Sequence, residues 1–179
     1  MSSTTIFDKQ FHKPDRNCSV QQVILSGSPV NIEDPNTVLH WHIILRISET
    51  QSVLLDMPPA GVDGRTGILF IQSAAESTAA EIDISAPIVG EVTVGAIIDL
   101  LLRLNRDKYR YDDSGSGCRF WCIVVLGDME KQGYVASGTV AKFNKQIEGR
   151  SQVQPSLYPW PTREGVFYVS KLPSSSHIY

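Results

Sequence analysis

The chain is poor in cysteine. It has three, Cys18, Cys118 and Cys122, with no CxxC pair among them, which excludes a disulfide framework. Long apolar runs are missing too. The longest, GAIIDLLLRL, is broken by Asp99 and Arg103 and falls far short of the roughly 20 residues a membrane-spanning helix needs. Positive charge is not in excess: 16 Lys and Arg face 19 Asp and Glu, a formal net charge of −3. Without a basic stripe there is no counterion release to favour nucleic acid, and nothing to favour an anionic membrane. The first twenty residues, MSSTTIFDKQFHKPDRNCSV, lack the apolar core of a secretory signal. These absences lead us to expect a reduced, cytoplasmic protein.

Two ligand motifs are incomplete. GVDGRTG at 61–67 has the glycines of a phosphate loop, but it lacks the Lys-Ser/Thr ending and precedes a strand pattern. His40 and His42 could hold a metal on one strand face, as in a cupin. The place for the following carboxylate is taken by Leu45 and Arg46, and the other histidines, His12 and His177, fall in expected arms. No metal and no cofactor are expected.

What remains is an ordinary globular composition, 42% hydrophobic and 20% charged. At 179 residues the chain can bury roughly two-thirds of its unfolded surface without staples. Strand-like runs occur at 18–27, 37–48, 52–57, 67–75 and 78–89, rich in β-branched and aromatic residues and separated by Pro, Gly and Asn turns. The period then changes. The segment 91–109 is helical in pattern, with Thr93 placed as N-cap and Val94, Ile97, Ile98, Leu101, Leu102 and Leu104 on one broad stripe. A second helix spans 118–133 with Gly133 able to close it, and a weaker third spans 138–149. LYPWP at 157–161 belongs to a proline-stiffened arm, and 165–172 reads as a last strand. Strands first and helices afterwards predict an α+β fold, an antiparallel sheet with two or three helices packed on it. The expected organisation is a loose arm at 1–15, one domain at 16–172 and a loose tail at 173–179.

Three groups of residues could carry chemistry. Cys118 follows the Ser/Gly run SGSG and opens a helix. A helix N-terminus favours a thiolate and presents free N–H groups to an oxyanion, although a small thiol there can also be simple packing. Cys122, one turn on, fits packing. His40 and His42 share one face of a strand, so either could serve as general base for a thiol. Asp56 ends the returning strand. There it could orient a histidine or cap the following turn, and a one-residue slip in register would send it to the opposite face. Arg119 could clamp a substrate carboxylate or pair with Asp112 or Asp113. Trp41 and Trp121 are candidates to line a substrate site, although Trp121 is most simply a core anchor of its helix.

The order HWHIIL, then LLDM, then YRYDDSGSGCRFWC resembles the circularly permuted papain-like domains of the NlpC/P60 superfamily, with the lecithin–retinol acyltransferase-like and PPPDE-type proteins. The stretch from His40 to Asp56, the helix at 93–105 and the GCRFW block also resemble a family of small, mostly fungal domains of unknown function. The likeness covers roughly residues 20–170. It implies a permuted papain-like fold with Cys118 as nucleophile, His40 or His42 as base and Asp56 as orienting residue, acting as a hydrolase or acyltransferase on an amide, ester or thioester. Two features depart from those families: Gly117 replaces a polar residue before the cysteine, and the bulky Arg119 follows it. A second expectation is therefore a specialised-metabolism tailoring enzyme, a cyclase or isomerase using His40 or His42 with Arg119 and no covalent step. A third is a non-catalytic binding module, in which the LYPWP arm lies across a partner. The expected partner is a small-molecule substrate, with a homodimer possible.

Overall fold

The computed structural model describes residues 5–34, 37–75 and 80–169. The expected tail at 173–179 and the end of the expected last strand lie outside the described residues. Strands β1 (Ile6–Phe7), β2 (Gln22–Pro29), β3 (Leu39–Arg46), β4 (Gln51–Asp56), β5 (Leu69–Ala75) and β6 (Ile82–Pro87) form one sheet in the order β1-β5-β4-β3-β2-β6. Helices α1 (Val94–Arg103), α2 (Cys118–Lys131) and α3 (Thr139–Val153) follow, and a two-stranded ribbon pairs β7 (Tyr109–Arg110) with β8 (Val166–Phe167). The class is α+β.

β2 to β5 are antiparallel neighbours in chain order, as consecutive strands usually are. β6 returns to the free side of β2, also antiparallel. β1 joins β5 in parallel, Ile6 to Leu69 and Phe7 to Phe70, so the sheet is mixed. Part of the expected loose arm is thus an edge strand, and Lys13–Asn17 forms a single 3-10 turn.

Alternation along the strands separates two faces. Trp41, Ile43 and Leu45 point into the core with Val53 and Leu55, while His40, His42 and Arg46 are only partly covered. Helix α1 starts at Thr93, whose side chain accepts the Ala96 N–H at 3.1 Å, and buries Val94, Ile97, Ile98 and Leu101. Helix α2 buries Trp121, Cys122, Val125, Leu126 and Met129. Helix α3 runs four residues past its expected end and contributes Phe143 and Ile147, with Trp41 edge-on to Phe143 at 5.6 Å. Burial of these large side chains is the main stabilising term, at about 25 cal/mol per Å² of apolar surface.

One detail of register positions the site. β3 pairs with β2 along its whole length, out to Pro29↔Leu39. Its ladder with β4 stops at Ile43↔Leu55. Beyond that point the first half of β3 has a strand on one side only, and the start of α2 packs there.

Candidate active site

The pairing of Ile43 with Leu55 puts Asp56 on the face that carries His40 and His42. The other register, in which Asp56 would face the core, does not occur. His40 Nε2 lies 2.7 Å from Asp56 Oδ1, with 28% and 20% of the two side chains exposed. Cys118, first residue of α2, lies close enough to the same ring to influence its titration. Its thiol makes a long contact, 3.9 Å, with the Leu39 carbonyl. Nε2 is taken by Asp56, and the Cys118 thiol is close enough to this ring to help raise its pKa.

Burial alone would push the His40 pKa down. The hydrogen bond and charge of Asp56, together with the Cys118 thiol, outweigh it and push the pKa up to about 10. The raised pKa favours the charged form of this ring. His42 behaves oppositely. Its centroid is 6.2 Å from that of His40, and burial lowers its pKa against a weaker pull from Asp56, so it is neutral at pH 7. Beside His42 in the ladder, Ser26 is buried and its hydroxyl has no hydrogen-bond partner among the described residues. Farther along, Ile24, Ile44, Ser52 and Asp83 line a shallow depression.

The loop before Cys118 is tied down, contrary to its Ser/Gly composition. Asp112 Oδ1 accepts the N–H groups of Ser114 at 2.9 Å and Ser116 at 2.8 Å, and the Ser114 hydroxyl at 2.7 Å. Gly117 then turns the chain into the helix at φ 142°, a value that favours glycine. Two tyrosines bracket this turn. Tyr109 Oη donates to the Gly117 carbonyl at 2.8 Å and accepts the Gly165 N–H at 2.9 Å. Tyr111 Oη donates to the Met57 carbonyl, next to Asp56. Sequence reasoning missed both. The available signal was the Tyr-x-Tyr spacing ahead of the loop, since buried tyrosine hydroxyls usually find partners.

Three residues expected at the site are placed elsewhere. Trp41 is 2% exposed because strand alternation turns it away from His40 and into the core. Trp121 is fully buried on the inner side of α2, and its Nε1–H donates to the Arg106 carbonyl at 2.8 Å. Arg119 leaves the thiol and runs under the C-terminal arm, where it donates to the Pro159 carbonyl and, at 3.2 Å, to Thr162 Oγ1. Its expected partners are engaged by others: Asp113 pairs with Arg65 and Asp112 with Arg163. Cys122 is fully buried, and desolvation pushes its thiol well up. Among the described residues, no three His, Cys, Asp or Glu side chains form a group that could hold a metal ion. No described helix is long and apolar enough to cross a membrane.

Against known proteins, the model of a family described as a domain of unknown function (DUF7770) matches residues 23–168, a span that includes His40, Asp56, Tyr109, Tyr111 and Cys118. No curated protein matches, and no solved structure matches.

Proposed function

We propose that this chain, which belongs to the DUF7770 family of domains of unknown function, is a thiol enzyme: a hydrolase or acyltransferase acting on an amide, ester or thioester of a small molecule. One observation carries the reading. The Asp56 carboxylate lies 2.7 Å from the His40 imidazole, and the Cys118 thiol, at the start of α2, is near enough to that ring to help raise its pKa. Carboxylate, imidazole and helix-start thiol in that sequence of contacts is the arrangement that activates sulfur for attack on a carbonyl. The permuted papain-like order is consistent with it.

In the proposed reaction the Cys118 proton resides on His40, whose charge Asp56 stabilises. The sulfur attacks the carbonyl carbon and forms a C–S bond. Free N–H groups in the first turn of α2 donate to the oxygen as it gains charge. Collapse breaks the bond to the leaving group, which takes the proton from His40 and leaves an acyl-thioester. Water, or an acceptor alcohol or amine, then gives a proton to His40 as it attacks that thioester, and Cys118 is released. His42, neutral and without the Asp56 bond, is not the proton carrier in this scheme.

The test is selective alkylation followed by acyl trapping. Iodoacetamide should modify Cys118 at least tenfold faster than Cys18 or Cys122 in the folded protein. A panel of activated esters and thioesters should leave an acyl mass on the Cys118 peptide that is lost in Cys118→Ala. Equal, slow alkylation of all three cysteines would end the proposal.

A further inference from the structure

We infer that Tyr109 and Tyr111 are positioning residues, which set the separation of thiol, imidazole and carboxylate; the inference rests on the triad reading above. Each tyrosine hydroxyl holds the main-chain carbonyl next to one end of the triad. Tyr109 holds Gly117, the residue before Cys118, and Tyr111 holds Met57, the residue after Asp56. Regular structure reaches both points from one side: the Gly117 carbonyl also accepts the Trp121 N–H at 3.0 Å, and Asp56 is the last residue of the β4–β5 ladder. Gly117 lies outside α2 and has no side-chain cap, and Met57 lies past the end of the β3–β4 ladder.

The pair is itself rigid. Both residues are almost wholly buried, and their rings meet edge to face at 5.4 Å. The Tyr109 hydroxyl is fixed from two sides, donating to Gly117 and accepting from Gly165. The surrounding chain leaves room for it: a Cβ on Gly117 would fall 2.6 Å from that hydroxyl and one on Gly165 at 2.3 Å. β7 is anchored in turn by β8 and by a bridge from Thr66 to Arg110. Burial raises both phenols, so both remain hydrogen-bond donors across the working pH range. Because the two tyrosines are separated by a single residue, one short segment fixes Cys118 and Asp56 relative to each other, and His40 between them.

The experiment uses the full chain with Tyr109→Phe, Tyr111→Phe and, as a destabilised control in the core of α3, Ile147→Ala. Two quantities are read: the His40 titration midpoint by NMR, and the rate of Cys118 alkylation by iodoacetamide against pH. Tyr111→Phe should lower the His40 midpoint by at least one pH unit. Tyr109→Phe should slow Cys118 alkylation at neutral pH by tenfold or more while moving His40 less. Ile147→Ala should lower Tm and leave both readouts at wild type. If both tyrosine variants behave like Ile147→Ala, the hydroxyls only support the fold and the inference is overturned. Should Tyr111→Phe not fold, Tyr109→Phe alone carries the test, and a wild-type rate of Cys118 alkylation there overturns the inference equally. The NMR readout needs no turnover, so it separates failure of this inference from failure of the thiol-enzyme reading.

Discussion

Replacing Asp56 with Asn tests the electrostatic centre of the site while keeping its shape. Asn can still accept from His40 Nε2–H, so what is removed is the charge. The rise of His40 from 6.5 to about 10 amounts to a preference for the charged ring of about 5 kcal/mol. Asp56 supplies the largest favourable share and opposes desolvation. With 28% and 20% of the two side chains in water, solvent screens the pair. Removing the charge should therefore recover about 2–3 kcal/mol, or about 2 pH units in the midpoint. The assay is an NMR titration of the imidazole Cε1–H signals from pH 5 to 11, assigned through single His→Gln variants. Urea unfolding at several pH values is its thermodynamic counterpart. The folded pKa lies above the unfolded one, so the His40 contribution is fully present below pH 6.5 and is lost as pH rises through about 10. The wild type should lose stability over that window, and Asp56→Asn should lose much less. A wild-type His40 titrating near 6.5, or an Asp56→Asn midpoint equal to wild type, would refute the reasoning.

Gly117→Ala should cost at least about 2 kcal/mol in denaturant unfolding, since it combines a left-handed φ with a Cβ 2.6 Å from the Tyr109 hydroxyl; a neutral result would show that the turn can relax. Cys122→Ser places a hydroxyl in a fully buried site and should cost about 1–3 kcal/mol, while Cys118 alkylation stays at the wild-type rate. Arg119→Met keeps the buried stem and drops both arm contacts, so limited proteolysis near Trp160 should speed up at least several-fold; unchanged cleavage would mean the arm is held elsewhere.

Much of the fold was legible because its signals are local. The β-branched run HWHIIL, the Thr93 cap and Gly133 each act within a turn or two of the chain. Cys118, His40 and Asp56 were legible as candidates, whereas the way the fold arranges them was not. Whether Asp56 faces His40 depends on the β3–β4 register, and no residue in SETQ announces that register before the strands pair. Its neighbourhood suggests that Arg119 clamps an anion or pairs with Asp112 or Asp113, yet its partners lie 40 and 43 residues downstream. The Tyr111–Met57 bond spans 54 residues and joins a side chain to main chain, which leaves no mark in composition or period. β1 is only two residues long, and its parallel pairing follows from what β5 leaves open rather than from its own sequence.

The early end of the β3–β4 ladder also bears on solubility. An unpaired strand edge is a template for another chain, and here the first turn of α2 stands in for the missing strand. The residue offered for chemistry is therefore also part of a plug. Lengthening β4 by two residues would pair Trp41, seal the edge and bury the thiol. Loosening the helix start would free the thiol and expose a sticky strand. Sequence change at this corner runs between occlusion and aggregation, so variants selected for a more accessible Cys118 should be the ones that precipitate first on storage.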